Sequence, residues 1–190
     1  MKKLKTRDHI VEAADQLFYQ QGYEHTSFAD IADAVQISRG NFYYHFKTKD
    51  DILEAVIKAR MDKTGAMMAL WQQNGSSPQD RIKCFIRILI TNRDKILNYG
   101  CPVGTLTTEL AKLNHASRPE ANALFTLFRV WLKDQFVQMG CEDEEADEQA
   151  MHLLARSQGV ATLASAFHDA KFIGQEVTQM CKWVEDYMPA

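Results

Sequence analysis

Apolar residues recur every three or four positions along almost the whole chain, and no segment alternates strictly. That period predicts helices and no strand. Ile10, Val11, Ala14, Leu17 and Phe18 mark a first helix, closed at Gly22. Phe28, Ile31, Ala32 and Val35 mark a short second one, opened by Ser27-Phe28-Ala29-Asp30 as a capping box. After a break at Gln36-Ile37, Ser38 caps a third short helix over Arg39 to His45. Thr48-Lys49-Asp50-Asp51 starts a fourth, running to about Gln73. Asn74-Gly75-Ser76-Ser77-Pro78 is a linker in which Ser77 caps and Pro78 fits a first helical turn. Five more helices follow: Pro78 to about Asn98, then to about Asn114, Ser117 to near Gly140, about Asp143 to Phe167, and about Lys171 to Tyr187. The expected fold is all-α, a chain of nine helices.

The second and third helices are short, joined by a tight turn, and angled by apolar residues, which describes a helix-turn-helix. Phe42 and Phe46 lie four apart and can close a small core with Ile31, Val35 and Ile37. The opposite face of the third helix carries Arg39, Gly40, Asn41, Tyr43, Tyr44 and His45. Two adjacent tyrosines cannot both point inward where Phe42 and Phe46 already do. Gly40 admits close approach of a base edge, Arg39 can fork onto guanine, and Asn41 can pair with adenine. Lys47 and Lys49 suit phosphates, and Thr26 and Ser27 place hydroxyls and free N–H groups at a helix start, an anion site. Lys2, Lys3, Lys5 and Arg7 form a basic arm able to track a DNA backbone.

Charge first argues against this. The formal charge is -3, where nucleic-acid binders are usually basic. The sorting matters more than the sum. Residues 1–50 balance seven basic against seven acidic residues, yet from Ser38 to Lys49 there are three cations and no carboxylate. A strongly basic DNA coater is excluded, and a sequence-specific binder is not.

The string from Thr26 to Asp50, TSFADIADAVQISRGNFYYHFKTKD, resembles the DNA-binding signature of the TetR family of bacterial repressors. Phe42 stands where that pattern often has Leu or Ile, which leaves its core role intact. The resemblance implies a homodimer on double-stranded operator DNA. Ser38, Arg39, Gly40, Asn41, Tyr43, Tyr44 and His45 would enter the major groove, and Thr26, Ser27, Lys47 and Lys49 would hold phosphates. Residues 1–50 then form a DNA-binding domain, and residues 51–190 an effector-binding and dimerisation domain.

The helices from about residue 143 to 187 are the expected dimer interface. Ala155, Gly159, Ala161, Ala164 and Ser165 permit close approach, and Ile173, Val177, Met180, Cys181, Val184 and Tyr187 form a stripe. The resemblance also implies a buried effector site. Candidates are Trp71, Phe85, Leu89, Cys101, Leu106, Phe128, Trp131 and Phe167, for each of which plain core packing is the alternative. Cys101, in Gly100-Cys101-Pro102-Val103-Gly104, precedes a helix N-terminus, where a thiolate is favoured. The segment is similar to that of a TetR subgroup sensing electrophiles and oxidants, so Cys101 is a candidate sensor, with packing as its alternative.

Other chemistry is poorly supported. The histidines show no metal-ligand spacing, and no P-loop, GxSxG or GxGxxG motif occurs, so neither metal, cofactor nor enzymatic activity is expected. His168-Asp169 suits a helix C-terminal cap, and the acidic run Glu142 to Glu148 suits a helix start. No apolar run is long enough to span a membrane, and no signal-like segment is evident, so a cytoplasmic protein is expected. The competing reading is an all-α dimeric interaction protein that contacts a protein or binds DNA without sequence preference.

Overall fold

The computed structural model describes residues 6–189, without the side chain of Arg39. The arm residues Lys2, Lys3 and Lys5 lie outside the described residues. Among those described, every regular element is helical. In order they are α1 (Thr6–Gln21), α2 (Phe28–Val35), α3 (Arg39–His45), α4 (Lys49–Asn74), α5 (Pro78–Thr91), α6 (Arg93–Tyr99), α7 (Pro102–Lys112), α8 (Arg118–Gln138), α9 (Asp143–Phe167) and α10 (Ala170–Asp186). The helix expected from Pro78 to Asn98 is broken at Asn92, and counting α5 and α6 as one broken helix restores nine. The break is local. Both the backbone N–H and the side-chain amide of Asn92 donate to the Ile88 carbonyl, at 2.9 and 3.1 Å.

Caps explain most of the boundaries. Ser27 accepts from the Asp30 N–H at 3.2 Å and donates its own N–H to Asp30 at 2.7 Å, so the predicted capping box is complete. Gln36 closes α2 in the left-handed region, φ 56°. A side chain there costs about 1 kcal/mol. In return the Ile37 N–H reaches the Ala32 carbonyl at 3.3 Å, and Ile37 turns onto the core. Asp51 accepts from the Lys47 and Thr48 N–H groups at 3.0 and 2.8 Å, tying down the entry to α4. At the other end of the chain, His168 closes α9 at φ 51°, and Asp169 caps α10 by accepting from Lys171 and Phe172.

The chain divides into two compact units. The first runs to Lys63 and includes Thr105–Ala123. It extends beyond residue 50 because Ile52, Leu53, Val56 and Ile57 of α4 join one core with Ile10, Phe18, Ile31, Phe42 and Phe46. Leu106, Leu110 and Ala121 complete it.

The second unit comprises Thr64–Gly104 and Leu124–Ala190. α10 packs along α5 and α9, and α6 packs on α9. Ile173, Val177, Met180 and Val184 are buried in this unit's own core, with Ile82, Ile86, Phe136 and Leu153. The stripe expected to face a partner is therefore spent inside the chain; an amphipathic helix shows its apolar side but not what covers it. Ala161 and Ala164 are likewise buried, whereas Ala155 and Gly159 are exposed. The acidic run does more than complement a helix dipole. Asp143 pairs with Lys133 at 2.7 Å, Asp147 with Arg129, and Glu145 accepts from the Tyr187 hydroxyl.

Two outcomes follow. Phe42→Ala should lower unfolding stability by about 3–5 kcal/mol, read by denaturant titration, because the ring is fully buried in a well-packed site. The second concerns acid. Backbone N–H donors hold the carboxyls of Asp51 (from Thr48 and Lys47) and Asp30 (from Ser27) below the ordinary value. A depressed folded value means stability that is full above about pH 3.9 and is lost as pH falls through the folded values. Asp51→Asn keeps a capping oxygen but cannot titrate. Thermal melts between about pH 4 and 2 should show a shallower acid slope for it than for the parent.

Candidate functional site

α3 is held by what it buries. Phe42 and Phe46 are inside the core, and Phe28 of α2 meets Phe42 edge to face at 5.2 Å. Arg7 of α1 stacks its guanidinium over the Phe46 ring at 4.8 Å. With those two rings inward, the other positions face out. Gly40 has open space around it, and Asn41 is exposed. Tyr43 leans on Phe28, while Tyr44 is 79% exposed and packs edge-on with His45. Ser38 is exposed and accepts from the Asn41 N–H at 3.3 Å, fixing the first turn. Arg39 lies in this turn, its side chain outside the described part.

The proposed phosphate positions sort into three kinds. Ser27 is exposed at the start of α2, its hydroxyl donating to Asp30. Lys47 is exposed, with its ammonium turned back to the Tyr43 carbonyl. Lys49 is more constrained: it donates to the Tyr23 and Glu24 carbonyls at 3.0 and 3.2 Å and lies over the Tyr23 ring. Thr26 corrects the sequence reading. Its side chain is 0% exposed, donates to the Gly22 carbonyl at 2.7 Å and accepts from Gln21. Its buried hydroxyl closes the turn between α1 and α2.

That turn is held by residues the sequence pattern did not single out. Glu109 of α7 accepts from the backbone N–H groups of Tyr23 and Glu24, both at 2.9 Å. The Tyr23 hydroxyl donates to Asp50 and lies 3.3 Å from His115 Nε2. Burial and the Asp50 carboxylate push the Tyr23 phenol well above its ordinary value, so it stays a donor. His115 Nδ1 accepts from the Ser117 N–H at 3.1 Å, which leaves Nε2 facing Tyr23 and Asp50. Glu109 and His115 are more than 80 residues from the turn, beyond reach of any local pattern.

The second unit holds a partly open cavity of about 170 Å³. Of the eight predicted lining residues, Phe85, Leu89, Cys101 and Phe128 do line it. Phe125, Met67, Ile88 and Ile96 add apolar wall, and Thr64, Asn92, Ser157 and Gln158 add polar groups that a pattern of aromatic faces does not reveal. The other four lie elsewhere. Trp71 and Trp131 stack at 5.4 Å, and Trp131 lines a separate, more open groove with Met68. Leu106 belongs to the core of the first unit. Phe167 is 76% exposed at the end of α9. Apolar side chains look alike in sequence, whether they meet a cavity, a core or solvent. At Cys101 the sulfur accepts from the Gly104 N–H at 3.5 Å, as the first turn of α7 forms around it. Among the described residues, no three His, Cys, Asp or Glu side chains are grouped to hold a metal ion. No helix among them is long and apolar enough to cross a membrane.

Residues 10–56 match the family model of bacterial regulatory proteins of the tetR family, and residues 78–175 match that of the LmrA/YxaF-like transcriptional regulator C-terminal domain. The chain is 33% identical over 130 residues to an uncharacterized HTH-type transcriptional regulator of Lactococcus lactis subsp. lactis, covering 64% of this chain and 63% of the relative. It is 27% identical over 134 residues to the HTH-type transcriptional repressor DhaR of Mycobacterium sp., covering 70% and 65%. The matched part thus spans somewhat under two thirds of these curated relatives. Among solved structures, a TetR transcriptional regulator from Legionella pneumophila superposes with a TM-score of 0.86 at 26% identity, over 96% of this chain and 98% of that one. Reduced NemR of E. coli shares the fold, with a TM-score of 0.79 at 17% identity over 98% and 100% of the chains. With a tetR-type helix-turn-helix in front and an LmrA/YxaF-like domain behind it, matched over more than half its length, the chain belongs to the TetR family of bacterial transcriptional regulators.

Proposed function

We propose that this chain is a homodimeric, ligand-responsive repressor that binds a palindromic operator through α2 and α3. The observation that carries the reading is the outward face of α3. It offers Gly40 in open space, an exposed Asn41 and Tyr44, and no carboxylate from Ser38 to Lys49. Residues 1–50 are the DNA-binding domain in this reading, and residues 51–190 carry the effector and dimer functions. Ser38, Arg39, Gly40, Asn41, Tyr43, Tyr44 and His45 read the major groove. Ser27, Lys47 and Lys49 approach phosphates; Lys49 must first leave the Tyr23 and Glu24 carbonyls or bind from where it stands.

Dimerisation is supported by α9. Met151, Ala155, Gly159, Leu163 and Phe167 are exposed and recur every four residues along it, with Thr162 and Ala166 beside them. Such a row of apolar and small side chains suits close helix packing with a second copy. Two copies would present recognition helices to half-sites about 34–36 Å apart. The effector role falls to the cavity of the second unit. Release from DNA is then a change in populations, driven by the ligand's preference for one of them. Cys101, on the cavity wall, is the candidate site for an electrophile. A place in the cytoplasm, with the DNA, belongs to the same reading.

Asn41→Ala and Tyr44→Ala should each weaken specific operator binding by about ten-fold or more while leaving helicity unchanged, measured by gel retardation with competitor DNA and circular dichroism. Wild-type affinity in both would overturn the assignment of α3. Phe167→Glu combined with Leu163→Glu should convert a dimer to a monomer in sedimentation, and an unchanged dimer would place the interface elsewhere. If Cys101 is the sensor, Cys101→Ser should stay on the operator when an electrophile such as N-ethylmaleimide is added; release equal to the parent would exclude it.

A further inference from the structure

The cavity of the second unit has a chemistry of its own. Its walls are mainly aromatic and aliphatic, with Phe85 and Phe128 tilted at 58° and 5.5 Å between ring centres, and Phe125 beside them. Among the described residues, no Asp, Glu, Lys, Arg or His side chain lines it. An ionic guest would therefore shed its water without meeting an opposite charge, which is strongly unfavourable. The volume is the second constraint. About 170 Å³ is close to the roughly 150 Å³ apolar cavity that takes up one benzene. It falls below the range of about 300–1,000 Å³ found for drug-sized ligands.

Polar contacts are few and uneven. The Ser157 hydroxyl spends its proton on the Leu154 carbonyl at 2.8 Å and Asn92 one amide proton on Ile88 at 3.1 Å, while Thr64 brings a second hydroxyl to the wall. Gln158 brings a longer carboxamide to the wall. It lies against Gly104 so closely that a Cβ at residue 104 would overlap its Oε1. The missing side chain at Gly104 is what lets this amide sit there.

We infer that the cavity takes an uncharged, single-ring aromatic molecule, stacked among the three phenylalanines, with one polar substituent hydrogen-bonded to Gln158. The inference rests on the reading of this cavity as the effector site and adds the class of ligand. It separates three otherwise similar rings: a neutral phenol fits, whereas an aromatic carboxylate and an aromatic quaternary ammonium do not.

The full chain is titrated with 4-methylphenol, toluene, benzoate and benzyltrimethylammonium. Thermal midpoints and the methyl resonances of the methionines are recorded. 4-Methylphenol should raise the midpoint saturably and shift the Met67 methyl, which lines the cavity, while leaving the exposed Met188 unmoved. The two ions should bind at least ten-fold more weakly. Gln158→Leu should bring the affinities for 4-methylphenol and toluene together. Ala161→Leu, filling the cavity, should abolish the Met67 shift; the Gln158 variant and the parent chain stand without it if that substitution unfolds the protein. An ion binding as tightly as 4-methylphenol, or saturable binding that leaves Met67 unmoved, overturns the inference. So does the absence of binding by all four probes. If operator retardation persists in that last case, the DNA-binding reading survives the failure.

Discussion

α3 has seven residues, too few for a helix to hold itself in water, and one side chain within it and one at its C-cap supply what its backbone cannot. Phe42 and Phe46 bury completely, and everything exposed on α3 is oriented by that choice. Ser38 and the left-handed Gln36 set where the helix begins, while Phe28 and Arg7 close around the two rings. The direction in which Asn41 and Tyr44 point is thus decided on the opposite side of the helix. Remote residues then secure the frame in which α3 sits. Glu109 and the Tyr23, Asp50 and His115 cluster hold the turn from which α2 starts.

Charge acts through placement in the same way. The net value of -3 says little, since many acids serve as caps or ion-pair partners. Asp30 and Asp51 accept backbone N–H groups, and Asp15 takes the buried Arg60 at 2.6 Å. The acids of the α9 start pair with Arg129 and Lys133. What remains around α3 is a stretch without carboxylates. A phosphate backbone meets that local field far more than the sum over the chain, because screening cuts off exposed charges beyond about 8 Å at physiological salt.

The helices, their caps and the inward pair Phe42 and Phe46 were legible in sequence because each rests on neighbours within four residues. Legibility stops where the partner is distant. Thr26 reads as a helix-start hydroxyl, and only the fold of the α1–α2 turn onto Gly22 buries it. Glu109 carries no local sign of its two partners 85 and 86 residues away. Among apolar residues the period gives a face but not its destination. Phe85 and Phe128 reach the cavity, Leu106 reaches the other unit's core, and Phe167 faces solvent. The stripe from Ile173 to Val184 looked like an interface for the same reason and is interior. Asn92 gives no local sign of a break, because one asparagine within a good helical period seldom interrupts it. Here its amide competes for the Ile88 carbonyl, and the helix stops.

The split between the two faces of α3 also bears on how such a protein can change. The residues that keep the helix in place, Phe42 and Phe46, are not those that would touch a base, Gly40, Asn41 and Tyr44. Substitutions at Gly40, Asn41 and Tyr44 therefore disturb little of the packing that holds the helix, and in the proposed reading the operator is what constrains them. A duplicated copy could acquire a new target site in a few single-residue steps, each intermediate still folded, while the scaffold it inherits stays fixed.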